Sequence, residues 1–147
     1  MITEDYVSFE TAKLLKEKGF ENDAISCINV FKGHIYKIQD RIINVDDDVT
    51  IPTTQMTIKW LEETYHILVV VDYIYEFTDT SWVYKIYRLG ENGEPERCAV
   101  KGVSYDENNN PTEHIVGYRD YDVSYKDYAT RKEAEDEGIR YVLENLI

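Results

Sequence analysis

The chain has 147 residues, which suits one domain that buries about 70% of its unfolded surface. Its 29 acidic residues against 16 basic ones leave a net charge of −13, which disfavours direct binding to a nucleic-acid backbone. Such binding depends on neutralising phosphates with Lys and Arg. No run approaches the roughly 18 apolar residues of a membrane-spanning helix, and no apolar leader precedes Val7. Cys27 and Cys98 have no paired spacing, so we expect a cytoplasmic protein that needs no disulfide, metal or cofactor.

Ser8 is a good N-cap for a helix over 9–18, which Gly19 ends in a left-handed conformation. Thr11, Ala12, Leu14 and Leu15 share its apolar side, and Phe20 can fold back on the last turn. Alternation over 25–31 predicts a strand, and Lys32-Gly33 a tight turn into a second strand over 34–38. Over 39–50 Ile42, Ile43 and Val45 are apolar, while Asp46-Asp47-Asp48 marks an exposed loop before the next helix.

The stretch 51–77 organises the fold. Pro52 starts a new element, and Thr53 or Thr54 caps a helix whose Met56, Ile58, Trp60, Leu61 and Tyr65 fall on one side. Gln55, Lys59, Glu62 and Glu63 take the other side. His66 breaks this pattern, and the β-branched run 67–71 predicts a central strand covered on both faces, relaxing into alternation through 77.

Trp82, Tyr84 and Ile86 alternate in the next strand, and Asn92-Gly93 predicts a hairpin into a return strand over 97–105. A loop over 106–111 precedes a strand over 113–119, while 120–128 reads as an irregular edge strand or a loop. Thr130 and Glu133 have capping-box spacing before a last helix, with Ala134, Gly138, Ile139, Tyr141, Val142 and Leu146 on its apolar face. The expectation is one α+β domain over 1–147, in the order α-β-β-α-β-β-β-β-α, with a mostly antiparallel sheet packed by helices.

Three blocks carry a resemblance. They are the opening DYVSFETAKLLKEKGF (5–20), the middle PTTQM (52–56) with Lys59-Trp60-Leu61 and His66-Ile67, and the ending Glu133-Ala134, Tyr141 and LENLI (143–147). Together they resemble a family of small uncharacterised proteins of gut anaerobic bacteria and their prophages and mobile elements. The resemblance implies a bacterial setting linked to phage infection or element transfer, and it lends no activity. Over 90–128 this chain departs from the family pattern.

Chemical motifs are few. The chain has no phosphate-binding glycine loop, no nucleotide fingerprint and no G-x-S-x-G elbow. His34, His66 and His114 stand far apart, outside any H-E-x-x-H pattern. A calcium loop starting at Asp46 would need glycine at position 51 and glutamate at 57, where the chain has Ile51 and Thr57. No catalytic, cofactor-binding or metal residue is therefore expected, and no binding residue is singled out.

The leading expectation is a small, acidic, tyrosine-rich accessory protein of prophage or mobile-element origin that binds a host protein with a basic surface. It would not touch nucleic acid or membrane, and its sharpest form is a decoy for the DNA-binding groove of a defence enzyme. Two alternatives stand beside it: an enzyme site at the rim of strand 67–77, built from His66, Asp72 and Tyr73, and a homo-oligomeric structural protein, with a homodimer as its simplest form.

Overall fold

The structure, a computed structural model, describes residues 5–21, 28–31, 34–37, 49–76, 79–124 and 126–147. Cys27, the Lys32-Gly33 turn and Asp46-Asp47-Asp48 lie outside the described residues. In chain order the elements are α1 (Phe9–Glu17), β1 (Ile28–Phe31), β2 (His34–Lys37), β3 (Val49–Ile51), α2 (Thr54–Tyr65) and β4 (Ile67–Glu76). There follow β5 (Asp79–Arg88), β6 (Cys98–Tyr105), β7 (Pro111–Arg119), β8 (Asp122–Val123) and α3 (Arg131–Asn145). This is the α+β order read from the sequence, with the short strands β3 and β8 added.

The helix ends follow local chemistry. The Ser8 hydroxyl accepts from the Thr11 amide, Thr53 from Met56 and Thr130 from Glu133, each satisfying an otherwise free first-turn donor. At the end of α1 the Phe20 amide donates to Leu15 and the Gly19 amide to Lys16, with Gly19 at φ +81°, which is a Schellman motif. It turns Phe20 back onto Trp60, their rings edge to face at 5.1 Å. His66 ends α2 in the left-handed region, at φ 57°, and the chain reverses directly into β4.

Three antiparallel sheets result, ordered β2-β1-β3, β4-β5-β8 and β6-β7. The second is the floor of the core. Val69 and Ile86, cross-strand partners, join Leu15, Leu61, Ile139, Val142 and Leu143 in one buried cluster under the three helices. α3 lies across β4 and β5, α2 packs on β4, and α1 packs on α3 and β3.

Two expectations need correction. The run 67–71 is not a central strand covered on both faces. β4 pairs only with β5 among the described residues, and burial alternates along it, with Ile67 and Val69 buried and Val70 36% exposed. The helices pack on the face of Ile67 and Val69. On the other face Val70 is β-branched without being buried, so its branching satisfies strand geometry rather than a second layer. The central strand is β5, whose Val83, Tyr84 and Ile86 are all buried.

The Asn92-Gly93 turn forms, with Gly93 at φ +77° and its amide donating to Gly90, but the hairpin ends at the Leu89–Pro95 bridge and the Glu96 amide. Pro95 has no amide to extend a ladder, and β8 and Tyr128 take the neighbouring edge of β5. The return strand β6 therefore pairs with β7 instead. The short strand β3, in a stretch to which the sequence assigned no element, pairs with β1.

Candidate interaction surface

β6 and β7 form a two-stranded ribbon that stands apart from the core. No ribbon residue belongs to the buried cluster. Its base is tied to the body by Arg119, 3.9 Å from the Asp122 carboxylate, which in turn lies 3.7 Å from Arg88. Burial is the first cause that pushes the Cys98 thiol above its ordinary range there, and the nearby Asp122 carboxylate adds to it.

The far end is closed by an ordered turn. Asp106 Oδ1 accepts from the amides of Asn108 (2.9 Å) and Asn110 (2.8 Å), and Asn109 takes the left-handed conformation at φ 63°. These bonds hold the Asp106 carboxyl below the usual carboxylate range, the Asn110 amide being the largest cause. The tip thus comes preformed.

Register assigns the ribbon's faces. The pairs Ala99/Tyr118, Lys101/Ile115, Val103/Glu113 and Tyr105/Pro111 share one face, because cross-strand partners point the same way and side chains alternate along a strand. Every one of these residues is exposed. Tyr118, Ile115, Val103 and Tyr105 make a continuous apolar stripe along it, 55–66% exposed. Lys101 and Glu113 flank the stripe, 3.2 Å apart.

The other face is differently built. A bulge between Val100 and Lys101 leaves Val116 as the extra residue of β7, and its side chain lies over Gly102. A Cβ at Gly102 would meet Val116 Cγ1 at 2.6 Å, so only glycine admits this cover. Of the nine large hydrophobics that are exposed among the described residues, five lie on the ribbon, which marks it as the place where apolar surface is left in water. A two-stranded ribbon alone is marginally stable in water, and this one is anchored at its base by Arg119 while its apolar face stays open.

The rim of β4 offers much less. His66 and Asp72 stand six residues apart along an extended chain, roughly 20 Å, so the structure does not bring His66, Asp72 and Tyr73 together. Asp72 is bonded to Lys85 Nζ at 2.7 Å, and that bond is the first cause holding its carboxyl below the usual range. A general acid working near neutral pH needs the opposite shift. Tyr73 packs edge to face on Trp82 at 5.0 Å.

A cleft between Tyr84, Arg119, Asp122, Val123 and Tyr141 has room for about one water. Among the described residues no three His, Cys, Asp or Glu side chains are grouped as metal ligands, and no helix is long and apolar enough to cross a membrane. The sequence holds one local signal for the ribbon: two short stretches rich in β-branched and aromatic residues, 97–105 and 113–119, around a turn rich in Asn and Asp. That signal marks a hairpin but not its lack of cover, which depends on where the helices pack. No family model, curated protein or solved structure matches this chain.

Proposed function

We propose that this chain is a binding protein that works by protein–protein association, with the β6–β7 ribbon as its docking surface. The observation that carries this reading is the apolar stripe Tyr118, Ile115, Val103 and Tyr105, open along the whole of one ribbon face. Aromatic and aliphatic side chains on a preformed scaffold are what protein interfaces bury at their centre. The net charge of −13 lies almost wholly outside residues 98–119, so it shapes approach at long range without selecting what docks on the ribbon. The resemblance of the chain's two ends to small prophage and mobile-element proteins supports a bacterial host as the setting.

Capture from a host lysate tests this at low and high salt, with Ile115→Glu alongside the native chain. Association that survives salt and is lost in Ile115→Glu supports the ribbon. A partner held equally by both chains and released by salt would place binding on the acidic body and overturn it.

A further inference from the structure

We propose that the ribbon's partner is a second copy of this chain, the two ribbons stacking face to face and antiparallel about a two-fold axis. The proposal rests on the reading of the ribbon as the docking surface and names what docks there. A ribbon that is marginal alone becomes half of a four-stranded sandwich whose apolar side chains face inward.

The face is self-complementary. A two-fold that reverses the ribbon's direction sets the Lys101/Ile115 level of one copy against the Val103/Glu113 level of the other. Such an axis stacks β6 on β6 and β7 on β7, so Val103 faces the aliphatic stem of Lys101 and Ile115 that of Glu113 in the second copy. Ile115 lies beside Val103, Lys101 beside Glu113 and Tyr118 beside Tyr105 of the mate on the adjacent strand. The face carries one positive and one negative group, so it neither needs nor repels a partner of particular sign. A basic partner would find no carboxylate excess on it.

Charge also selects the antiparallel stack. Residues 98–119 contain two basic and three acidic residues, so nearly all of the chain's −13 lies elsewhere. A parallel stack would bring two acidic bodies side by side. Eight residues of extended β6 span about 26 Å, so antiparallel overlap keeps the bodies several screening lengths apart, each about 8 Å at physiological salt. The exposed side chains of one face can bury on the order of 500 Å² per copy, about 1,000 Å² in all, which reaches the lower limit of a specific interface.

Sedimentation velocity from micromolar to several hundred micromolar tests this on the full chain, with Val103→Glu and Ile115→Glu as variants. Both positions are more than half exposed in a single copy, so circular dichroism of the variants should match the native chain. The expected result is a native dimer whose dissociation constant rises at least about 30-fold in either variant. Geometry is read separately by mixing Tyr105→Cys chains with Tyr118→Cys chains, both lacking Cys27 and Cys98, and adding a thiol cross-linker of about 10 Å span. Cross-links between unlike chains should exceed those between like chains. A native monomer at all concentrations, a dimer unweakened in both variants, or a preference for like chains would overturn the proposal. A native monomer that still captures a lysate protein through Ile115 would leave the docking surface standing and remove only the second copy.

Discussion

At the scale of single residues, Asp136 does more than its place in the sequence suggests. Helical periodicity puts it on the charged face of α3, yet it is half-buried, and it joins α3 to the start of α1. Its Oδ1 accepts from the Ser8 amide at 2.7 Å, and its Oδ2 from the hydroxyl of the fully buried Thr11 at 3.0 Å. A carboxylate beside a helix N-terminus is also favoured by the helix dipole. Asp136→Ala leaves the Thr11 hydroxyl with only Ser8 as a neighbour and removes a charge-assisted bond. It should cost about 1.5–3 kcal/mol in urea unfolding, whereas Glu144→Ala, exposed on the same helix, should cost under about 0.5 kcal/mol. Equal effects from the two would refute the role given to Asp136.

Elements show which parts of the fold local sequence decides. The three helices were legible because each start carries a cap, Ser8, Thr53 or Thr130, and Gly19 stops the first. The strands were legible as strands, but not their neighbours. The run Ile67 to Val71 is apolar enough to be central, yet among the described residues β4 pairs only with β5, and strand neighbours are decided by long-range pairing that the run itself does not encode. Likewise Asn92-Gly93 fixes a turn and says nothing of whether pairing continues past Pro95. Gly138 shows a contact between elements directly. A Cβ there would lie 3.0 Å from Tyr84 Cβ and Cγ and from Val69 Cγ1, so α3 rests on the sheet through its backbone. Alanine would gain about 1 kcal/mol of helix propensity, but the atoms it meets are the inner parts of two packed sheet residues and cannot swing aside. Gly138→Ala should therefore lower stability, by about 1–2 kcal/mol net. A raised melting temperature would show instead that α3 can shift outward at no cost.

At the scale of the whole molecule, the fold divides its labour. Among the described residues the helices, β4, β5, Val7 and Ile51 supply the buried core, while the ribbon holds five of the nine exposed large hydrophobics and contributes none to the core. Cooperative folding of a small domain rests on the shared core, so removing a part outside it should leave the transition in place. Replacing residues 99–118 by a short Gly-Ser turn cuts no core contact and keeps both Cys98 and the Arg119–Asp122 tie at the base. The shortened chain should unfold in a single transition within about 1 kcal/mol of a monomeric ribbon variant such as Ile115→Glu, and should lose association entirely. Comparison with that variant matters, because a dimer adds stability by mass action that has nothing to do with the body. A broad or much lower transition would mean that the ribbon supports the body. An unchanged one would mean that its apolar face is kept for something outside the chain.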